Sequence, residues 1–285
     1  MRAQDGHSVK ELSQTLQVSS SGFYAHRHKE AGARAKQDAQ LSEQIGVLFL
    51  RSRCTYGCRR IQQMLRREGL YCAKTRICRL MKQRGLRARQ KRRFRPRTTN
   101  SNHPLPIAPN WLAQLPEPPS QPNQVWAADI TYLPTLEQGW LYLAVEMDLC
   151  SRRIVGWKLD SSLAAPLVID AFQRALKSWA RAPGVHHSDR GIQYAAASFR
   201  QVLQAHQVQS SMSRNANCYD NAAIESFFAT RKSECFHHHI PKNRLETQAL
   251  LFDYIETFYN PKRLHSSLGY RSPLEFEKSL VEQTN

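Results

Sequence analysis

Eight of the chain's 14 prolines fall between Pro96 and Pro122. Proline fixes φ and has no backbone N–H, so neither a helix nor a central strand can run through that stretch. The two sides of it differ in period. Up to Ala88 apolar residues recur every three or four positions, as a helix requires, whereas from Gln124 onward they alternate or run together over strand lengths. Residues 96–123 are therefore expected as an extended linker between an all-α region, 1–95, and a mixed α/β domain, 124–280. At 285 residues in total, each part is long enough to bury a core.

The helical part opens with Ser8 and Glu11 in capping-box spacing, followed by Leu12 and Leu16 on one face. The break at "QVSSS" and a second helical stretch carrying Phe23 and Tyr24 predict a helix-turn-helix. A further helix carries Leu41, Ile45 and Leu48. Two shorter ones follow, marked by Ile61, Met64 and Leu65 and by Ile77, Leu80 and Met81, with Gly69 and Gly85 placed to end them at positive φ.

Charge is concentrated there. The chain carries +18, and the window Arg51–Arg97 alone holds 18 Lys plus Arg against one acid, Glu68, leaving +1 for everything else. So one-sided a patch calls for an anionic partner, with phosphate backbone favoured over a membrane surface. The candidate DNA contacts are Arg59, Arg60, Arg76, Arg79, Lys82 and Arg84 on the outward helix faces, and Lys91, Arg92 and Arg93 in the run that follows. Seven cysteines without a secretory signal favour reduced thiols and a cytoplasmic location. The spacings of Cys54, Cys58, Cys72 and Cys78 suit small core residues better than zinc ligands. No apolar run approaches membrane-spanning length.

In the second part, "QVWAADITYLPT", "GWLYLAVEMDLCS" and "RRIVGWKLDS" read as three consecutive strands. A helix, a short strand "GVHHSD", a helix, a short strand "VQSSMS" and two more helices follow. Three acids stand out. Asp129 lies inside the first strand, Asp189 closes the fourth, and Glu225 sits in "NANCYDNAAIESFFATRK" on a helix face shared with Asn221, Ala222, Phe228, Ala229 and Lys232. A carboxylate partly shielded by apolar neighbours needs a cation, a hydrogen-bond donor or exposure. If the first and fourth strands are neighbours, the three acids converge, and converging carboxylates are stable mainly around a hard cation. The alternative is that each is separately a cap or a surface charge.

Asp129, Asp189 and Glu225, with 35 residues between the last two, resemble the DDE triad of retroviral-integrase-like transposases. "WAADITYLPT", "HSDRGIQY", "CYDNAAIESFFATRKSE" and "YIETFYNPKRLHSSLGYRSPLEFE" are similar in order and spacing to the second reading frame product of two-frame bacterial insertion-sequence transposases. The resemblance implies a ribonuclease H-like core of five mixed strands with flanking helices, preceded by the helix-turn-helix region. It implies that Asp129, Asp189 and Glu225 bind two Mg²⁺, with Mn²⁺ as a substitute. The implied activity is hydrolytic nicking at the element's 3′ end, then attack of that 3′-OH on target DNA. Lys232 matches a basic position expected to touch DNA near the cut, Arg263 and His265 are expected to dock the last helix, and Asp148 is expected to be structural.

The implied partners are double-stranded DNA, both terminal inverted repeats and target, the upstream reading frame product or a fusion with it, and further copies of the chain on the nucleoid. The chief alternative is a non-catalytic DNA-binding regulator derived from a transposase. A ribonuclease acting on RNA–DNA hybrids shares the layout, but the basic helical module and the "YNPKRLHSSLGYRSP" stretch weigh against it.

Overall fold

Residues 8–27, 32–88, 104–179, 181–214, 221–236 and 239–284 are described by a computed structural model of the chain. They divide into two compact units, Met1–Arg87 and Ala88–Asn285.

The first unit is all helical. α1 (Val9–Thr15) begins at the expected capping box: the Ser8 hydroxyl accepts from the Glu11 amide, and the Glu11 carboxylate accepts from the Ser8 amide at 2.9 Å. α2 (Ser20–Arg27) follows after a short break. α3 (Ala33–Arg51), α4 (Cys58–Arg67) and α5 (Lys74–Gln83) pack on one another. Their shared core is Ile45, Leu48, Phe49, Ile61, Leu65, Ile77, Leu80 and Met81, all buried. Gly69 at φ +78° and Gly85 at φ +68° follow α4 and α5, where an L side chain would be strained.

The second unit starts with the proline-rich segment, and its described part, from residue 104, is not a free linker. Leu105 and Ala108 pack on the core, and the Trp111 and Leu112 amides donate to the Ser211 hydroxyl at 3.0 and 3.4 Å. Prolines cannot donate to a sheet, but their carbonyls still accept, and the Pro109 carbonyl takes the Met212 amide. The segment thus straps the outermost strand.

The three expected strands are β1 (Val125–Pro134), β2 (Trp140–Asp148) and β3 (Ile154–Asp160), an antiparallel meander. β4 (Val185–Ser188) and β5 (Gln209–Met212) extend it in parallel with β1, giving the order β3-β2-β1-β4-β5. One face is covered by α6 (Ala165–Ser178), the short α7 (Ile192–Ala195) and α8 (Ala197–Ala205). Trp126, Ala128, Ala144 and Val155 meet Phe172, Tyr194, Phe199 and Leu203 there. The remaining helices are α9 (Ala222–Arg231), which contacts β1, α10 (Arg244–Tyr254), which contacts β3, the short α11 (Asn260–Lys262) and α12 (Pro273–Thr284). α9 and α10 each run on into a wide π turn, Lys232–Phe236 and Ile255–Tyr259, which helical periodicity alone does not announce.

Strand β3 is a sheet edge, and edges carry unpaired backbone groups. The Asn260 amide side chain meets that need at Ile154, accepting from its N–H at 3.0 Å and donating to its C=O at 2.9 Å. On the other face Gly156 lets α6 approach. A Cβ at Gly156 would lie 2.5 Å from the Ala171 carbonyl oxygen and 2.7 Å from the Ala175 nitrogen, both backbone. We expect Gly156→Ala to destabilise the protein by about 1–3 kcal/mol, seen as a fall in Tm of roughly 3–10 °C by thermal denaturation. An unchanged Tm would mean that this helix–sheet spacing is not tight.

Candidate active site

The register of β1 with β4 pairs Ala128 with Ser188, so the next residues, Asp129 and Asp189, come abreast. Both are half-buried. Asp129 Oδ1 accepts from the Ile130 amide at 2.7 Å, and Asp189 Oδ1 accepts from the Gly191 amide at 2.9 Å. A Cβ at Gly191 would sit 2.9 Å from that same Asp189 oxygen, so a larger residue there would shift the aspartate side chain. Glu225 lies on α9, which packs against β1.

Burial pushes the Asp129 carboxyl well above the usual carboxylate range, the charge of Asp189 pushes it further, and Glu225 adds to the repulsion; the Ile130 hydrogen bond opposes them. The three acids are thus drawn to one region. Among the described residues, no three His, Cys, Asp or Glu side chains stand close enough to share one metal ion. The set is convergent but open.

Shielding of Glu225 is not what the structure gives. Ile224 and Phe227 turn into the core, while Ala222, Glu225, Ser226, Ala229 and Lys232 are exposed. The apolar side chains flanking Glu225 in sequence point the other way. Exposure is therefore the answer to this carboxylate's local environment.

Asp148 is structural, as expected. It is fully buried and accepts from the Asn123 amide at 2.7 Å, the Ser151 amide at 2.8 Å and the Ser151 hydroxyl at 2.9 Å. Arg263 ties the segment after α11 to the π turn that follows α9, through a partner that is not visible from sequence. It is buried in a forked pair with Glu234, at 2.7 and 2.8 Å, and lies 3.4 Å from His265.

Several site neighbours have surroundings that no sequence signal announces. Behind the acids, Glu146 and His186 form a buried pair at 3.0 Å, and burial raises the Glu146 carboxyl while His186 lowers it. Tyr194 beside them is buried with its hydroxyl unpartnered among the described residues, its pKa driven well up by burial and then by the charges of Glu146, Asp129 and Asp189. Arg231 is buried over the Phe236 ring at 5.0 Å, and burial lowers its pKa to about 10. An alternating strand pattern flags the polar interruptions at 146 and 186, but only the sheet register shows that they meet.

In the first unit, the arginines chosen for DNA divide. Arg76 Nε and Arg79 Nη2 both bind Asp38 of α3, at 2.7 and 2.5 Å, and Asp38 is held below the usual carboxylate range by Arg79 and then Arg76. Arg84 donates to the Ser42 carbonyl, and Arg60 stacks on Tyr56 at 5.3 Å. Arg59 and Lys82 are exposed. With Ile77, Leu80 and Met81 turned inward, α5 presents Lys74, Thr75, Arg79 and Lys82 to solvent. Lys91, Arg92 and Arg93 lie outside the described residues. Cys78 is held to Cys58 by a thiol hydrogen bond, which raises its pKa.

Comparison with known proteins agrees with this architecture. Residues 119–218 match the integrase core domain family, 206–273 match a second integrase core domain family, and 36–94 match an HTH-like domain. The HTH-like match therefore falls on α3–α5 rather than on α1–α2, where the capping box drew attention. Among the described residues no helix is long and apolar enough to cross a membrane.

The chain is 43% identical over 268 residues to an insertion element IS600 uncharacterized 31 kDa protein of Shigella sonnei, covering 94% of this chain and 97% of that one. It is 39% identical over 273 residues to the transposase InsF for insertion sequence IS3A of Escherichia coli K12, covering 95% and 94%. Among solved structures it is similar to the HTLV-2 integrase catalytic core domain in complex with magnesium, at 15% identity and a TM-score of 0.44, covering 55% of this chain and 97% of that one. On the identity and extent of the two sequence matches, with its mixed five-stranded ribonuclease H-like sheet and helical HTH-like unit, the chain belongs to the IS3 family of insertion-sequence transposases, polynucleotidyl transferases built on an integrase core.

Proposed function

We propose that this transposase cuts DNA at the 3′ ends of its insertion sequence and transfers them to target DNA, with Asp129, Asp189 and Glu225 holding two Mg²⁺ or Mn²⁺ ions. The observation that carries this is the approach of Asp129 and Asp189 on adjacent parallel strands, with Glu225 near enough to raise the Asp129 pKa. The donor set fits a hard cation: three carboxylates, all oxygen, with Asp189 and Glu225 both disfavouring the charged form of Asp129. Two such ions, when bound, supply an activated attacking oxygen and a stabilised leaving oxygen.

The chain's own residues prepare the rest. The Ile130 and Gly191 amides orient the two aspartates. Lys232, exposed on the helix face of Glu225, is placed to hold a phosphate near the cut. The first unit grips element ends and target through its basic surface, with α5 lying along a groove. Joining two ends calls for at least two copies, with the upstream reading frame product as a partner, on the bacterial nucleoid. The proposed division is 1–95 for DNA binding, 96–123 as connector and 124–280 for chemistry.

The decisive assay is cleavage and joining of a labelled duplex carrying the element's own end. Wild type is expected to cut with Mg²⁺ and not with EDTA, and Glu225→Gln to lose about 10³-fold or more in rate while still binding the duplex. Binding without cutting, with the upstream product present, would instead support a regulator of element ends.

Two further outcomes are expected. Asp38→Asn releases Arg76 and Arg79, so the slope of log affinity against log salt should steepen by up to about 2, at about 0.9 per phosphate neutralised; an unchanged slope would show that neither arginine reaches DNA. For Asp129 the sign follows from its raised pKa: the folded state holds the proton more tightly than the unfolded chain. Stability in EDTA therefore falls as pH rises above the ordinary carboxylate range. Asp129→Asn should remove that loss and raise Tm in EDTA at neutral pH by about 2–5 °C, while abolishing any rise in Tm on adding Mn²⁺. A lower Tm for Asp129→Asn in EDTA would argue against an acid cluster waiting for a cation.

A further inference from the structure

Helix α9 has to present Glu225 and Lys232 outward, and hydrophobic burial favours that rotation only in part. Ile224 and Phe227 are buried and Phe228 is half-buried on one side, but Thr230 and Arg231 are buried there too, and Ala222 and Ala229 are exposed on the other. A charged side chain on the inward face and apolar ones on the outward face weaken the contrast that would fix the helix about its axis. A second interaction is therefore needed to set which residues face outward.

The helix continues into the π turn Lys232–Phe236, and there Glu234 is buried although Lys232, two residues earlier, is exposed. Both Glu234 oxygens are taken by Arg263: Nε to Oε2 at 2.7 Å and Nη2 to Oε1 at 2.8 Å. The Tyr254 hydroxyl donates to Oε2 at 2.9 Å. Arg263 also lies over the Tyr259 ring at 5.8 Å, and Tyr259 packs edge-on to Phe227 of α9 at 4.8 Å. A forked arginine–carboxylate pair fixes orientation as well as distance, because two parallel hydrogen bonds define a plane. Buried ion pairs of this kind add little to stability relative to well-packed apolar residues, and their best-attested use is to specify register.

We infer that Glu234 and Arg263 are positioning residues that set the rotation of α9, and through it the direction of Glu225 and Lys232. The pair acts through the helix and touches neither DNA nor the three acids. Its consequence for DNA cleavage rests on the transposase reading above; its control of helix rotation does not.

The test uses the full chain with Ser226→Cys, at an exposed position of α9, or Thr230→Cys, at a buried one. Maleimide labelling is read by peptide mass spectrometry, so the native cysteines are scored separately. With the pair intact, Ser226→Cys should label at least about tenfold faster than Thr230→Cys. In the Glu234→Met/Arg263→Met background, Tm should stay within a few degrees, the labelling ratio should fall to about threefold or less, and cleavage of the end duplex should fall at least about tenfold. Arg263→Lys, which keeps the charge and loses the fork, should move the ratio the same way.

A folded double variant with an unchanged ratio would overturn the inference. Should the double variant not fold, an unchanged ratio in Arg263→Lys would overturn it as well. A wild-type chain that cuts no end DNA would count against the transposase chemistry alone, since the labelling ratio still decides the role of the pair.

Discussion

Where β1 and β4 run side by side in parallel, the residue after Ala128 and the residue after Ser188 are both aspartates, and the pairing forces their charges together. Everything else around the site follows from tolerating that contact. The meander β1–β3 makes β1 a central strand with β2 on its other side, so Asp129 cannot slide away. A one-residue slip would turn it to the opposite face and expel Trp126 and Ala128 from the core. The Glu146–His186 pair makes the same point from behind, since both side chains are buried and join strands β2 and β4 across β1. The sheet that brings two acids together is thus pinned by apolar burial and by a polar pair on its far side.

The broad architecture was readable because period is a local property. Apolar spacing located α3, α4, α5 and all five strands, and the positive-φ glycines 69 and 85 marked two helix ends. Asp129, Asp189 and Glu225 were singled out by an acid inside a strand, an acid at a strand end and an acid among apolar helix residues. The order β3-β2-β1-β4-β5 was not readable from spacing alone, since it depends on which strands lie adjacent after two crossovers. Tyr194, Arg231 and the Glu146–His186 pair were hidden for the same reason. The composition of the proline segment predicts an extended linker, but in its described part Leu105 and Ala108 bury apolar surface and its carbonyls accept.

Counting charge also overstates what is offered to an outside partner. The window Arg51–Arg97 carries 18 basic residues, yet Arg76 and Arg79 converge on Asp38 and Arg51 lies 3.3 Å from Glu68. Asp38 sits outside that window, on α3, so a count by segment misses it. An arginine tied at one nitrogen still has other donors, and Arg79 remains nearly half exposed. Such a tether restricts the side chain in advance and reduces the freedom it would lose on meeting phosphate or a base. The outward face of α5 is therefore less charged, and more ordered, than its sequence suggests.

The contrast between two strand acids shows how the fold marks a site. Asp148, at the end of β2, is more deeply buried than Asp129, and three donors from Asn123 and Ser151 meet it. Burial raises its pKa and those bonds pull it back, so the protein's own donors offset part of the penalty of burying this carboxylate in the turn after β2. Asp129 has the amide of Ile130 as its opposing hydrogen bond, while Asp189 and Glu225 add repulsion to burial. A fold that supplies donors to one strand acid and further carboxylates to another treats them differently. The first is satisfied by the protein, and the second is left in an arrangement that a cation from outside would relieve.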